Sequence, residues 1–277
     1  MITLSNLTYY PIKACRGFDV QESNVERMGL EHDRRMMVVT PDGKFLTQRD
    51  HPKLALVMPT LRLRSALLSA KETENDSVTL SAPNFDSIQF GIQRSGAMYP
   101  VNIWKSSGVQ AVDQGEESAQ WFSDWLGTPV RLVHIAEGYK RKVNSTYAVN
   151  SDDHTGFADG YPILIISEAS LQDINSKLDS PLPMNRFRPN IVVKGCEPFA
   201  EDLWKRVKIG GVEMALVKPC ARCEVTTTDQ VTLERKKEPL KTLGGYRKHK
   251  LGAIFGMNVI PLNEGRLKVG MSVKVVS

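Results

Sequence analysis

Hydrophobic and polar residues alternate in short runs over roughly the first 113 residues. The first run covers residues 2–9 and ends near Pro11. Residues 35–40 and 44–47 flank Pro41-Asp42-Gly43, which predicts a β-hairpin because Pro and Gly suit a tight turn. Further runs of this kind occur at 77–81, 87–90, 99–104 and 108–112. The N-terminal part is therefore predicted to be a series of short strands joined by turns.

The periodicity changes from strand-like to helical between residues 113 and 128. Phe122, Trp125 and Leu126 share one face of a predicted helix over residues 116–126, which Gly127 ends. A second helix is predicted from Ser167, as its cap, to about residue 178. A third, shorter helix is predicted from 239 to about 248. The change of periodicity predicts a domain boundary, which we place after residue 120.

The second part of the chain, residues 121–277, returns to strand-like segments. They lie at 129–134, 161–166, 189–194, 204–209, 212–217, 254–260 and 267–276. Residues 138–158 are polar and irregular and are predicted to form a long loop. With 41% hydrophobic and 24% charged residues in 277, the composition is that of an ordinary folded protein. The pattern predicts a mainly β (α+β) protein with three helices at most, divided into domains 1–120 and 121–277.

Charge and cysteine content exclude several classes of protein. The net charge of +5 is mild and dispersed, whereas nucleic-acid-binding domains concentrate basic residues on one face. Four cysteines in a chain of this length do not suggest a disulfide scaffold. The first residues lack the pattern of a signal peptide, and no apolar run approaches the roughly 20 residues that span a bilayer. We therefore expect a cytoplasmic protein with neither a membrane nor a nucleic-acid polymer as partner.

Cys220 and Cys223 are the first candidates for chemistry. They lie three positions apart, and Lys218 and Arg222 accompany them. Nearby cations lower the pKa of a thiol from roughly 8.5 and favour the thiolate, which is the form that binds metals. Because a β-favouring run at 225–228 follows, we expect the pair to open a strand. A dithiol redox motif would instead open a helix, so this context weakens that interpretation.

The number of available ligands narrows the choice of metal. A structural zinc site needs four ligands, usually from two close pairs, and this chain has one such pair and no histidines at ligand spacing. An iron–sulfur cluster needs more cysteines than lie nearby. Two interpretations stay open: both thiols are unreactive, or one thiolate binds a soft or high-valent metal whose other ligands are not protein.

Basic clusters accompany predicted strand ends at residues 13–17, 33–34 and 185–190. In the last of these, two arginines and two asparagines could bind an oxygen-rich ligand through paired hydrogen bonds, or form salt bridges on an ordinary surface loop. Each cluster is weak evidence alone, but the three could converge on one anionic ligand. The chain lacks glycine-rich nucleotide motifs and a Gly-x-Ser-x-Gly sequence, so hydrolase and nucleotidyl chemistry are not indicated.

Six motifs in this order resemble a known family. They are residues 10–17 (YPIKACRG), 33–37 (DRRMM), 157–162 (FADGYP), 167–171 (SEASL), 187–190 (FRPN) and 218–223 (KPCARC). Together they resemble the MOSC family of molybdenum-cofactor proteins, in particular its YcbX type and the mitochondrial amidoxime-reducing component. The resemblance runs the whole length. It implies an N-terminal MOSC-associated β-barrel-like domain packed on a MOSC β-barrel domain with a few helices.

The resemblance also implies a molybdenum cofactor, a molybdopterin that carries the metal. Cys223 would be the thiolate ligand of the molybdenum, and Cys220 would lie beside it. The remaining positions that match cofactor-binding segments are Lys13, Arg34, Asp159, Gly160, Tyr161, Arg188, Asn190, Phe255 and Gly256. One departure from the pattern is Ala14, where many relatives have Ser, so one cofactor hydroxyl contact would be absent or moved.

The activity implied by the resemblance is a reduction. Hydroxylaminopurines, amidoximes or hydroxylamines would be reduced to amines with loss of water, which is a detoxifying reaction. Relatives of the YcbX type often carry a C-terminal ferredoxin domain with clustered cysteines, and this sequence has none. The electron donor is therefore expected to be a separate protein, a ferredoxin or a flavin reductase, unless such a domain was removed.

A second function follows from the same resemblance, because MOSC domains also occur in molybdenum-cofactor sulfurases. The chain would then be a cofactor-binding or sulfur-carrier module that acts through a cysteine and has no reductase activity of its own. The two functions differ in an observable: either bound molybdenum turns over electrons, or a persulfide forms on Cys220 or Cys223.

Overall fold

The computed structural model describes residues 1–63 and 76–277, and strands dominate them. In chain order the strands are β1 (Thr3–Tyr9), β2 (Phe18–Val20), β3 (Glu22–Glu26), β4 (Gly29–Leu30), β5 (Met36–Val39), β6 (Met58–Arg62), β7 (Ser77–Ala82), β8 (Phe85–Gly91), β9 (Val101–Ile103), β10 (Ser106–Val109), β11 (Ala111–Asp113), β12 (Arg131–Ile135), β13 (Arg141–Lys142), β14 (His154–Thr155), β15 (Ile163–Ser167), β16 (Ile191–Lys194), β17 (Arg206–Ile209), β18 (Val212–Ala221), β19 (Lys248–His249), β20 (Gly252–Pro261), β21 (Gly265–Lys268) and β22 (Val273–Val275). The mainly β prediction is confirmed.

Three α-helices lie among the described residues: α1 (Glu116–Leu126), α2 (Glu168–Asn175) and α3 (Leu240–Tyr246). Short 3-10 turns occur at Pro52–Leu56, Met184–Arg186, Ala200–Leu203 and Glu224–Thr227. Gly127 ends α1 with a left-handed φ of 70°, as its position in the sequence predicts. The Ser167 side chain caps α2 by accepting a hydrogen bond from the Ser170 amide. In the described part of the chain, no helix has both the length and the apolar character needed to cross a bilayer.

The chain divides into two compact units that are not continuous in sequence. Unit 1 consists of Met1–Tyr9, Phe18–Asp33 and Lys140–Ser277, and unit 2 of Tyr10–Gly17 and Arg34–Tyr139. The first strand of the chain thus belongs to the same unit as the C-terminal residues. The two units are defined by contacts in space, whereas the predicted domain boundary after residue 120 is a single position along the sequence. That boundary stays a prediction.

Unit 1 is built on a nine-stranded sheet. Along its main path the order is β2-β1-β16-β15-β20-β18-β17-β22, and β19 pairs with β20. The β15–β16 pair is parallel, and the other pairs are antiparallel. Backbone hydrogen bonds from Leu4 to Met271 and from Val273 to Ile2, both 2.9 Å long, join the two ends of this sheet. The sheet of unit 1 therefore curls back on itself around buried aliphatic residues of its strands.

Unit 2 contains smaller sheets. Their orders are β11-β12-β5, β6-β7-β8 and β10-β9. Helix α1 buries Trp121 and Phe122 in the same core as Ile12 and Leu80. The predicted hairpin at 35–47 is only partly formed. β5 is a regular strand, but the return segment, residues 44–47, pairs with it only through an isolated bridge between Val39 and Phe45.

The structure corrects the predictions for two segments, 138–158 and 267–276. The segment 138–158, predicted as a loop, contains the paired strands β13 and β14. The buried Arg141 side chain donates from Nε to the Gly156 carbonyl at 2.8 Å and so fixes this segment. The single strand predicted at 267–276 is divided between β21 and β22, since Gly270 adopts a φ of 92° between them.

Candidate functional site

The cysteine pair lies at the end of β18 and does not open a strand, so that prediction is wrong. Cys220 belongs to the last residues of β18, and Cys223 precedes the 3-10 turn Glu224–Thr227. The Thr226 amide and hydroxyl both donate to the Cys223 carbonyl, at 3.0 and 2.8 Å. Such local bonds from threonine compete with strand formation. They turn the chain immediately after Cys223.

Arg222 links three segments around the cysteine pair. Its Nη1 donates to the Cys220 Sγ at 3.0 Å, and its Nη2 donates to the Phe187 carbonyl at 2.6 Å. Its backbone amide donates to the Ala253 carbonyl at 2.7 Å. The end of β18, the FRPN segment and β20 therefore meet at this one residue.

The two thiols differ in their partners. Cys220 accepts the hydrogen bond from Arg222, whereas the Cys223 Sγ has no hydrogen-bond partner among residues 1–63 and 76–277. Both are partly buried. In the same described ranges, no group of three or more His, Cys, Asp or Glu side chains could hold a metal. A metal at Cys223 would thus need ligands that are not protein.

Arg186 anchors the turn that follows Cys223. It is only 4% exposed, and its Nε donates to the Thr226 carbonyl at 3.0 Å. Its Nη1 forms an ion pair with Asp229 at 3.2 Å. Backbone amides of Thr232 and Val231 hold the pKa of Asp229 below its usual value. In the sequence, Arg186 belongs to the basic cluster at 185–190, but its role is not visible there. Its hydrogen-bond partners, Thr226 and Asp229, lie some 40 residues away along the chain.

Arg188 lies two residues further on and adopts a left-handed φ of 54°. It follows the 3-10 turn Met184–Arg186, and its amide donates to the Asn185 carbonyl at 3.2 Å. Only a few per cent of residues other than glycine adopt this conformation, and such residues are frequent at ligand sites. Its expected contact with the cofactor stays a prediction.

Asn190 connects strands of the nine-stranded sheet. It is 1% exposed, its Oδ1 accepts from the Leu164 amide at 3.2 Å, and its Nδ2 donates to the Thr8 carbonyl at 3.1 Å. Its backbone bonds the same two residues. The structure therefore gives Asn190 a role in holding β1 and β15 in place, and its assignment to the cofactor stays a prediction.

Phe255 and Gly256 on β20 also have roles in packing. The Phe255 ring is fully buried with its centroid 4.2 Å from that of Phe187. Gly256 adopts a φ of 76°, and a Cβ there would lie 2.6 Å from Ile166 Cγ1 and 2.8 Å from the Ile165 carbonyl oxygen. This close approach of β15 explains the glycine. Contact of either residue with a cofactor stays a prediction.

Tyr161 lies beside β18 with an unsatisfied hydroxyl. The Lys218 Nζ is 5.7 Å from its ring centroid and 4.8 Å from that of Tyr147. The Tyr161 hydroxyl is buried and has no hydrogen-bond partner in the described part of the chain. Burial raises its pKa to about 12. Asp159 is exposed, and the space around the Cα of Gly160 is open.

Lys13 and Arg34 both belong to unit 2. The Arg34 guanidinium is 4.4 Å from the Tyr10 ring centroid, and the Arg34 amide donates to the Tyr10 carbonyl at 2.6 Å. Lys13 is 7% exposed, and its Nζ is 5.7 Å from the Phe45 ring centroid. The other predicted cofactor residues all belong to unit 1.

Comparison with known proteins identifies the class. Residues 1–129 match the model of the MOSC N-terminal beta barrel domain, and residues 152–274 match that of the MOSC domain. These matches confirm the resemblance carried by the six motifs.

Similarity to individual proteins extends over nearly the whole chain. It is 34% identical to mitochondrial amidoxime reducing component 2 of Bos taurus, over 97% of this chain and 81% of that protein. Mitochondrial amidoxime-reducing component 1 is 34% identical in Homo sapiens and 36% identical in Mus musculus, over 97% of this chain and 81% and 80% of those proteins. The chain belongs to the family of MOSC proteins that includes the mitochondrial amidoxime-reducing components.

Proposed function

We propose that this protein is a molybdenum-cofactor-dependent reductase of N-hydroxylated compounds. Hydroxylaminopurines, amidoximes and hydroxylamines would be its substrates. The similarity to amidoxime-reducing components over 97% of the chain supports this class of reaction. The structural observation that carries the proposal is the partly buried Cys223 thiol, which has no hydrogen-bond partner within the described residues.

The residues present fit such a cofactor. Two buried donor groups near the end of β18, the Tyr161 hydroxyl and the Arg222 Nε, have no partner among the described residues. Buried donors are normally satisfied, so both suit the acceptor oxygens and nitrogens of an anionic pterin. Cys223, Arg222, Tyr161 and Arg188 would hold the cofactor in unit 1. Bound there, a molybdenum cofactor would supply the two-electron chemistry.

The residues of the chain have separate tasks in this proposal. Arg222 hydrogen-bonds the sulfur of Cys220, and Cys223, whose sulfur receives no such bond among the described residues, would be the ligand of the metal. Arg186 fixes the turn after Cys223 through the Thr226 carbonyl and so orients that thiolate. The N–OH group, two electrons and two protons give the amine and one water. We propose a ferredoxin or a flavin reductase as the source of the two electrons.

The test uses the full chain produced in a host that makes the cofactor, with an artificial electron donor. The wild type should contain molybdenum and reduce a hydroxylaminopurine to the amine, and Cys223→Ala should lose both properties. Cys196 is another partly buried free cysteine of unit 1, so Cys196→Ala is the matched control. This variant should keep both the molybdenum and the activity. A molybdenum-loaded wild type without activity, or an active Cys223→Ala variant, would contradict the proposal.

One observation favours the second candidate function, a sulfur-carrier module. The guanidinium hydrogen bond to the Cys220 Sγ would stabilise an anionic persulfide at that position. Incubation with a low-molecular-weight persulfide, which would pass its outer sulfur to the thiol and be left as a thiol itself, followed by peptide mass spectrometry, would detect the gain of one sulfur atom on Cys220. Such a gain, together with a molybdenum-loaded wild type that reduces no N-hydroxylated substrate, would favour the carrier over the reductase.

A further inference from the structure

Lys218 is a partly buried cation on β18 that two aromatic rings accompany. Its Nζ lies 4.8 Å from the ring centroid of Tyr147 and 5.7 Å from that of Tyr161. Within residues 1–63 and 76–277, its side chain forms neither an ion pair nor a hydrogen bond. Cations that are withdrawn from water are normally paired with an anion, because the loss of hydration is costly. The position therefore suits a ligand that carries negative charge.

The backbone is held in place on both sides of this cation. The Asn258 side chain donates from Nδ2 to the Lys218 carbonyl at 3.2 Å and so fixes this part of β18. In the segment that carries Tyr147, the amides of Tyr147 and Ala148 donate to the Asn144 carbonyl at 3.0 and 3.1 Å. All of these residues belong to unit 1. A preorganised cation of this kind loses less conformational entropy when it binds a ligand.

Lys218 also lies beside proposed cofactor residues of the same unit. It precedes Cys220 by two positions on β18, which corresponds to about 7 Å of strand. Its neighbour Tyr161 has a buried hydroxyl, which suits a group that stays bound. Lys218 and Tyr147 are partly exposed, so a molecule that enters from solvent and leaves again can reach them.

We propose that Lys218 binds a phosphate monoester group of the substrate, and that Tyr147 and Tyr161 hold its ammonium group in position. An ammonium group recognises phosphate as a compact point charge. Among the substrates proposed above, hydroxylaminopurines carry such a group when they are nucleotides. The inference rests on the proposed function and names its substrate class: hydroxylaminopurine nucleotides are better substrates than the corresponding nucleosides.

Direct binding tests this role of Lys218 without any turnover. The full-chain protein from a host that makes the cofactor is titrated calorimetrically with 6-hydroxylaminopurine riboside and with its 5′-monophosphate, two probes that differ only in the phosphate. The wild type should bind the monophosphate about 10- to 100-fold more tightly, the range expected for a hydrogen bond between charged groups. Lys218→Met should bind the two probes equally, with its affinity for the riboside unchanged.

A matched variant controls for the loss of a lysine. Lys208→Met removes an exposed lysine of β17 in the same unit and should keep the preference for the monophosphate. Lys218→Met should keep the fold, because a thioether packs well on aromatic rings. A wild type that binds neither probe or binds both equally, or a preference that survives in Lys218→Met, would overturn the inference.

The molybdenum cofactor also carries a phosphate, and the content of metal and pterin separates the two sources. Lys218→Met should be purified with as much molybdenum and pterin as the wild type. If it loses both while its urea denaturation midpoint equals that of the wild type, Lys218 binds the cofactor, and its assignment to the substrate is wrong.

Kinetics on the cofactor-loaded enzyme with an artificial electron donor separate this inference from the proposed function. The ratio of kcat/KM for the monophosphate to kcat/KM for the riboside should fall about 10- to 100-fold in Lys218→Met. If the wild type reduces both probes with equal kcat/KM, the role of Lys218 is wrong and the reductase stands. If the loaded wild type reduces neither, the reductase is wrong, and the titration still decides whether Lys218 binds the phosphate.

Discussion

Arg222 and Cys220 are joined by a hydrogen bond in which the guanidinium Nη1 donates to the sulfur at 3.0 Å. The same guanidinium donates to the carbonyl of the buried Phe187. Arg222→Met would leave that carbonyl without its donor, and we expect a loss of about 1–3 kcal/mol in the free energy of unfolding. Urea denaturation of protein prepared without cofactor would measure it.

Arg206→Met is the matched control for that measurement. Arg206 pairs with Glu213 at 3.3 Å, and the two side chains are 50% and 36% exposed. Exposed ion pairs contribute about 1 kcal/mol or less, so this variant should lie near the wild type. If Arg222→Met and Arg206→Met lower the free energy of unfolding equally, Arg222 does not stabilise the fold by linking β18 to the FRPN segment.

Asn190→Ala should be more destabilising. The substitution removes two side-chain hydrogen bonds, to the Leu164 amide and the Thr8 carbonyl, in a fully buried place. Two unsatisfied buried groups cost about 2–5 kcal/mol together. Chemical denaturation should show this loss whether or not the cofactor is present. A stable Asn190→Ala variant that binds no cofactor would instead make Asn190 a ligand-binding residue alone.

Gly256→Ala and Gly160→Ala should differ sharply, although both positions match cofactor-binding segments. At Gly256 the added Cβ meets Ile166 and the Ile165 carbonyl oxygen at less than 3 Å, and φ is left-handed. Overpacking and strain of this kind cost about 2 kcal/mol or more. At Gly160 the added Cβ meets no atom within 4 Å. Thermal unfolding should therefore rank Gly256→Ala well below Gly160→Ala, and equal melting temperatures would contradict the packing argument.

Tyr161→Phe separates stability from cofactor retention. The Tyr161 hydroxyl is buried and has no hydrogen-bond partner among the described residues. Its removal should therefore leave the cofactor-free protein as stable as the wild type or about 1 kcal/mol more stable. If the hydroxyl contacts the cofactor, as proposed, pterin fluorescence after purification should fall. Tyr147→Phe is the control, because that ring also lies near Lys218 and its hydroxyl is not among the buried unsatisfied groups. Unchanged pterin content in Tyr161→Phe would remove the residue from the proposed site.

Asp229 should make stability depend on pH. Its pKa is depressed in the folded state by the amides of Thr232 and Val231, with Arg186 adding to the effect. The stability it contributes is fully present above the unfolded pKa of roughly 3.9 and is lost as the pH falls through the folded value. The difference in unfolding free energy between wild type and Asp229→Asn should thus be constant near neutrality and shrink below about pH 4. A difference that grows on acidification would contradict this sign.

Local patterns in the sequence predicted local structure well where the packing agrees with them. The periodicity around Phe122 and the glycine at 127 define α1, because both its buried face and its C-cap depend on nearby residues. The six ordered motifs identified the family. The cysteine pair was placed correctly after a hairpin, but the segment after it was predicted as a strand. There, the hydroxyls of Thr226 and Thr227 bond to carbonyls three residues back, and these bonds outweigh the β propensity of threonine.

Long-range relationships were beyond the reach of such patterns. Nothing in the sequence near Arg186 indicates that it bonds to Thr226, and nothing near Asn190 indicates that it bonds to Thr8. The two units are discontinuous for the same reason. Trp104 was included in a predicted strand, and neither its exposure nor its left-handed backbone follows from alternation of hydrophobic and polar residues.

The pairing of β1 with β16 has a consequence for synthesis of the chain. Thr8 and Asn190, which bond across this region, are 182 positions apart. At ribosomal rates of 5–20 residues per second, roughly 10–40 s would pass between the synthesis of β1 and that of β16. Unit 2 is complete by Tyr139 and can fold during that interval, whereas unit 1 must close a long loop after the C-terminal strands emerge. Until then β1 could pair only with β2, and its other edge would stay unpaired, which makes this stage the one at which chaperones or aggregation act.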